Sequence, residues 1–191
     1  MKLLPILPHS VVTRPHNESW CKYRPRRLLS PFIPGCDGSF TSCDHFNVRK
    51  HHNAPVFSAV PGKFQLRVDL EDFDGFRAYA TYSDFKLEGE DQKYTLRFGS
   101  FTGGTAGDSL SVHKDQAFTT KDRDNDVSTD NCAEFYKGGW WFHNCLHSNL
   151  NGEYLKGKHN QFPPGRGVVW HVFKKIPYSL KVSEMKIRPQ I

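Results

Sequence analysis

KDRDNDVSTDNCAEFYKGGWWFHNC, residues 121–145, is the stretch that decides how this chain is built. Asp122, Asp124 and Asp126 stand at every second position, and Ser128 and Asp130 keep the spacing. Carboxylates at i, i+2 and i+4 of a loop can fold their oxygens onto one hard cation. Calcium takes about six to eight oxygen ligands, which carboxylates, backbone carbonyls and water supply together. A solvated acidic turn is the alternative, because Asp and Asn populate turns for backbone reasons of their own. Charge separates the two. Three aspartates this close, with Lys121 and Arg123 beside them, repel one another unless a cation sits among them. In the second half, Cys132 and Cys145 flank the hydrophobic turn around Gly138-Gly139-Trp140-Trp141 and suit a disulfide. The stretch predicts an oxygen-ligand metal loop locked by a disulfide. It points to an extracellular binding protein more than to an intracellular enzyme.

Spacing excludes an EF-hand. Counted from Asp122, the sixth residue is Val127, where the hand needs Gly, and the twelfth is Ala133, where it needs Glu. Counted from Asp124, those places hold Thr129 and Phe135.

Upstream of this loop the pattern is that of a sheet. Residues 64–70 (FQLRVDL) alternate apolar and polar, which predicts a half-buried strand. An Asp74-Gly75 turn then predicts a hairpin into a second strand at 76–85 (FRAYATYSDF), with a third at 94–98. Residues 102–107 (TGGTAG) lack the Gly-Lys-Ser/Thr ending of a phosphate-binding loop and are expected to form a flexible turn. A short turn of helix is expected at 108–114 and a closing strand at 178–187. The whole predicts an antiparallel sheet joined to a long, loop-rich, metal-braced half.

Residues 1–60 differ in character, being rich in Pro, Arg, His and Ser with no sustained period. They are expected to form a poorly ordered segment ahead of a domain at 61–191. Their basic cluster, Lys22, Arg24, Arg26 and Arg27, supplies much of the net charge of +6 but is interleaved with prolines. It reads as a solvated arm, with no nucleic-acid partner. Cys36, Cys43 and His45 lack a fourth ligand at standard spacing, so zinc is not expected there. Five cysteines leave at least one thiol free or bound to another molecule, so an oligomer linked through an unpaired Cys is allowed. Asn17-Glu18-Ser19 is a glycosylation sequon, usable at Asn17 in a secreted protein. The opening MKLLPILPHSVV is a poor signal peptide, and no stretch is long and apolar enough to span a bilayer.

The sequence from about Gly62 to Pro189 resembles the fibrinogen-like domain of ficolins, tachylectins, tenascins, angiopoietins and the fibrinogen chains. The likeness rests on LRVDLEDFDG (66–75), AYATYSDF (78–85), TAGDSL (105–110), TKDRDNDVSTDNCA (120–133), GGWWF (138–142), SNLNGEY (148–154) and SEMKIRP (183–189). Several long motifs in order make it specific, and the wording is closest to the ficolin-like branch. The resemblance implies an α+β fold, a twisted antiparallel sheet plus a loop-rich calcium-binding subdomain. It implies Ca2+ held by the side chains of Asp124 and Asp126 and the backbone carbonyls of Ser128 and Asp130, with Asp122 a neighbour. It implies the Cys132–Cys145 disulfide and a cis peptide between Asn144 and Cys145.

In the family a ligand pocket lies beside that peptide. The matching positions are Tyr136, Asn144, Cys145, Leu146, Phe162 and Pro163. Leu146 stands where acetyl-binding members carry His, and Phe162-Pro163-Pro164 replaces an aromatic-Ala-Asp segment, so a polar donor is lost. Phe162 reads equally as a core aromatic, and Tyr136 less so, given its place beside the acidic loop. The resemblance thus implies a calcium-dependent recognition module, lectin-like and bound to a carbohydrate or acetylated ligand. The alternative is a domain that binds a cell-surface or matrix protein. No nucleophile–base motif is present, and an enzyme is not expected. The family's opening segment has no counterpart here, which implies an open sheet edge and an exposed apolar sheet face.

Overall fold

The computed structural model describes the backbone of residues 21–23 and all of residues 63–190. In sequence order the strands are β1 (Cys21–Tyr23), β2 (Phe64–Glu71), β3 (Arg77–Tyr82), β4 (Lys86–Leu87), β5 (Leu96–Arg97), β6 (Phe101–Gly103), β7 (Ser148–Asn149), β8 (Gly157–Lys158), β9 (Val169–Trp170), β10 (Tyr178–Ser179) and β11 (Val182–Pro189). One short helix, α1 (Cys132–Phe135), follows the acidic loop.

Alternation drives the main sheet. Phe64, Leu66, Val68 and Leu70 of β2 are buried, while Gln65, Arg67, Asp69 and Glu71 point the other way. The hairpin to β3 keeps that register from Glu71 opposite Arg77 to Leu66 opposite Tyr82. Its turn is closed by Asp72, whose Oδ1 accepts the backbone N–H groups of Asp74 and Phe76, each at 2.9 Å. Gly75 supplies the left-handed backbone the turn needs, at φ +86°. β11 covers the whole free edge of β2, from Val182 opposite Glu71 to Pro189 opposite Phe64. With β1 beyond β11 and β6 beyond β3, the order is β1-β11-β2-β3-β6, antiparallel throughout.

The buried face of the sheet joins one hydrophobic cluster with Leu110, Trp140, Phe142, Leu150, Trp170 and Leu180 of the loop-rich half. Trp140 and Trp170 are almost wholly buried. Burying an apolar side chain of this kind contributes on the order of 2–3 kcal/mol of transfer free energy. Three two-stranded ribbons, β4 with β5, β7 with β9 and β8 with β10, fix the loops of that half.

Several elements differ from expectation for local reasons. The strand expected at 94–98 shrinks to β5, because Lys93 and Tyr94 are left-handed at φ 53° and 54°. The strand expected at 76–85 ends at Tyr82, where the Ser83 N–H turns to Ser100 and Asp84 takes φ 50°. The closing strand at 178–187 divides into β10 and β11, since Leu180 donates its N–H to Val168 instead of continuing either ladder. The glycine-rich loop is partly β6. Gly104 passes so close to β3 that a Cβ there would lie 2.1 Å from the Tyr79 carbonyl oxygen. The turn expected at 108–114 appears as a single 3-10 turn at 111–113.

The expected apolar sheet face is not found among the described residues. The outward side chains of β2 form ion pairs along the strand and with its neighbours: Asp69 with Arg67 of the same strand at 2.8 Å and with Lys186 of β11 at 2.7 Å, and Glu71 with Arg77 of β3 at 2.8 Å and with Lys181, just before β11, at 2.7 Å. The alternation that buries one face of β2 places charge on the other. The expectations for residues 1–60, including Asn17, Cys36 and Cys43, lie outside the described residues apart from the three of β1.

Candidate functional site

In the acidic loop the spacing by two has a direct structural result. Asp124 Oδ1 accepts the Asp126 N–H at 3.1 Å, Asp126 Oδ1 the Ser128 N–H at 3.0 Å, and Ser128 Oγ the Asp130 N–H at 3.4 Å. Each side chain holds the backbone two residues on, so the loop is a series of nested turns. Asp126 is the hub, because its Oδ2 also accepts the Cys132 N–H at 3.1 Å, at the start of α1. Asn131 caps that helix by accepting the Glu134 N–H at 3.0 Å. Its amide donates to the Thr120 carbonyl at 3.0 Å, which closes the loop's two ends. Asp122 is exposed, and the Thr120 hydroxyl and its own backbone hold its carboxyl below the usual range.

Burial raises the pKa of Asp126, and the neighbouring Asp124 carboxylate adds to the rise against two backbone hydrogen bonds. A group held in that position gains from a cation beside it. Among the described residues no three His, Cys, Asp or Glu side chains converge on one point. A cation here would therefore need backbone carbonyl oxygen as well as Asp124 and Asp126. The donor set is all oxygen, which suits a hard cation such as Ca2+.

A disulfide joins Cys132 of α1 to Cys145, with Cα atoms 5.7 Å apart. The Asn144–Cys145 peptide is cis. Tyr136, which follows α1, is half-buried, and Leu146 follows the cis peptide. Gly165 lies between the two, since a Cβ there would sit 3.0 Å from the Tyr136 ring and 3.3 Å from Leu146 Cδ1. Pro163 is buried after a second cis bond, Phe162–Pro163. Phe162 is 75% exposed and stacks edge-on with Phe135 at 6.1 Å, which in turn meets Tyr136 at 5.1 Å. Tyr136, Leu146, Phe162 and Pro163 are thus gathered beside the disulfide, with exposed Asn144 next to them. The core alternative fails for Phe162, while Tyr136 packs against the core with part of its ring free.

His113 is the residue that sequence analysis missed. It is fully buried, and its Nδ1 lies 2.7 Å from the Trp141 carbonyl oxygen, which fixes the proton there. Nε2 is left to accept the N–H groups of His147 at 3.1 Å and Ser148 at 3.0 Å. One imidazole therefore pins the strand that begins just past Leu146. Burial, with the nearby His147 and His143, holds its pKa down to about 4. Its partners lie 28, 34 and 35 residues away, so no local pattern marks it.

Comparison with known proteins agrees with this architecture. The profile of the family described as fibrinogen beta and gamma chains, C-terminal globular domain, matches residues 52–190. Ryncolin-4 of Cerberus rynchops is 49% identical over 129 residues, 68% of this chain and 37% of its own length. The fibrinogen-like globe domain of human ANGPTL6 superposes with a TM-score of 0.68 at 45% identity, over 72% of this chain and 62% of that one. A lamprey fibrin D-dimer complexed with the peptide Gly-His-Arg-Pro-amide superposes with a TM-score of 0.65 at 32% identity, over 67% of this chain and 46% of that one. The matched region therefore spans less than two thirds of the length of each of these relatives.

Proposed function

The protein belongs to the family of the C-terminal globular domain of fibrinogen beta and gamma chains, and on that premise we propose that it is an extracellular, calcium-braced module that recognises a peptide or protein. As a member of this family it is a recognition module and not an enzyme. Ca2+ would be held by the Asp124 and Asp126 carboxylates with the backbone carbonyls of Ser128 and Asp130. It would brace the loop that leads through Cys132 into the ligand-binding face. The observation that carries the choice of ligand is the apolar character of that face. Leu146, Phe162 and Pro163 flank Tyr136 beside the Asn144–Cys145 peptide, and Phe162 stands exposed as an anchor. A pocket that orients an acetyl group needs a few placed polar donors, and an apolar face with exposed aromatic rings suits protein side chains. The lamprey relative in complex with a peptide supports the same choice.

The Cys132–Cys145 disulfide fits an oxidising compartment, hence the extracellular location. Among the described residues no helix is long and apolar enough to cross a membrane. With that pair bonded, Cys21, Cys36 and Cys43 remain, an odd number, so one can link a second molecule and raise avidity. A glycan at Asn17 would belong to the same secreted state. The second function, binding of acetylated carbohydrate, is favoured by the likeness to ryncolin-4 within the ficolin-like branch.

A display experiment separates them. The immobilised protein is challenged with a random peptide library and with N-acetylglucosamine conjugates, each in calcium and in chelator. Calcium-dependent enrichment of peptides is expected, with acetyl-sugar binding appearing only after Leu146→His. Micromolar binding of N-acetylglucosamine by the unsubstituted protein, about −8 kcal/mol, would overturn the peptide assignment.

A further inference from the structure

Two histidines outside the calcium loop and the ligand-binding face stand in a cross-strand arrangement. β7 and β9 pair antiparallel with Ser148 opposite Trp170, so His147 and His171 are the next opposed pair. The ladder continues through them, because the His171 N–H donates to the His147 carbonyl at 3.0 Å. Residues opposed in this way project from the same face of the ribbon. Their imidazole rings lie 5.9 Å apart, inclined at 43°.

Both strands are held from outside the ribbon as well. The His147 N–H donates to His113 Nε2 at 3.1 Å. On the other strand, Trp170 Nε1 donates to the Gly107 carbonyl at 3.1 Å and the Val172 N–H to Ser109 Oγ at 3.0 Å. No hydrogen bond within the described residues engages the His147 ring, which is exposed, and the buried Nδ1 of His171 has no partner there.

We propose that His147 and His171 form a second cation site, one for a borderline transition metal such as Zn2+, bound through one nitrogen of each ring. Zinc holds an imidazole nitrogen at about 2.0–2.1 Å, which sets two ligating ring centroids roughly 5–6.5 Å apart as the angle at the metal opens. The observed 5.9 Å falls in that range. Ligand chemistry keeps the two sites apart. Imidazole prefers zinc or copper and carboxylate oxygen prefers calcium. Because no third His, Cys, Asp or Glu converges here among the described residues, water fills the remaining positions. A carboxylate or imidazole from a partner can replace that water. His147 follows Leu146 directly, so the metal would stand at the rim of the ligand-binding face.

Zinc stoichiometry alone is uninformative, because the sequence carries other histidines and cysteines to which zinc can bind nonspecifically. The test is histidine footprinting with diethyl pyrocarbonate, mapped by mass spectrometry in saturating calcium with and without ZnCl2. At about ten times its Kd zinc occupies some 90% of the site, so modification of both His147 and His171 should fall about tenfold. Exposed His143 serves as the unprotected control. His171→Gln should abolish the protection of His147, with calcium-dependent melting unchanged. Equal modification of His147 and His171 with and without zinc overturns the proposal, and so does protection of His147 that survives in folded His171→Gln. Should that variant fail to fold, the footprint of the unsubstituted protein decides.

Discussion

Protonating His113 should unfold the strand it pins, and the cost follows from its surroundings. Its reference pKa is about 6.5 and its folded value about 4. The folded state therefore binds fewer protons than the unfolded state between those values. Stability from this group is complete above pH 6.5, falls as pH drops through the window, and is lost below about 4. A gap of about 2.5 units at 1.36 kcal/mol each gives roughly 3 kcal/mol. That is a large part of the 5–15 kcal/mol or so that holds a typical domain together. The cost is structural, because an imidazolium has no lone pair for the His147 and Ser148 N–H groups. The assay is urea unfolding followed by tryptophan fluorescence from pH 7.5 to 4.5 in saturating calcium. His159, whose pKa is also lowered by burial, contributes a slope of the same sign. The informative quantity is therefore the difference between the unsubstituted protein and His113→Gln. The former should lose about 3 kcal/mol more across the range, and the variant should start lower at pH 7.5. Parallel pH profiles for the two proteins would refute the assignment of a neutral, doubly accepting His113.

Other predictions concern the loop, the disulfide and the sheet. Calcium at a hundredfold excess over its Kd should add about 2.7 kcal/mol of apparent stability, and Asp124→Ala should remove the calcium-dependent shift in melting temperature. An identical melting curve in calcium and in chelator would contradict the site. Reduction of Cys132–Cys145, which closes a 13-residue separation, should cost roughly 3 kcal/mol on the chain-entropy model, read from urea midpoints with and without reductant. Gly103 and Gly104 both hold positive φ, but a Cβ meets backbone only at Gly104. Thermal unfolding should find Gly104→Ala destabilised by more than about 2 kcal/mol and Gly103→Ala by about 1 kcal/mol. Equal losses would show that strain alone matters there.

Much of this protein was legible along the sequence because the relevant interactions are local. The alternation of 64–70 specified β2 and which of its faces is buried, since side chains two apart share a side of a strand. Asp74-Gly75 specified the hairpin. The spacing by two in the acidic loop specified its nested turns, because an Asp or Ser side chain reaches the N–H two residues on. Length was less legible. The same alternation runs past Tyr82 and through Leu180, and only contacts with Ser100 and Val168 end those strands.

What the tertiary structure alone decided is long-range. That Phe162 stands exposed while Pro163 is buried depends on where Gly165 packs against Tyr136 and Leu146, which no periodicity records. That the outer sheet face is ionic required β11 to bring Lys186 and Lys181 across to Asp69 and Glu71, more than a hundred residues earlier. His113 is a plain histidine in the sequence and a buried, neutral double acceptor in the fold. Residues near in sequence declare their geometry through fixed bond lengths and torsions. Groups some thirty or a hundred residues apart meet only when the core closes around them, and burial then sets their charge and their partners.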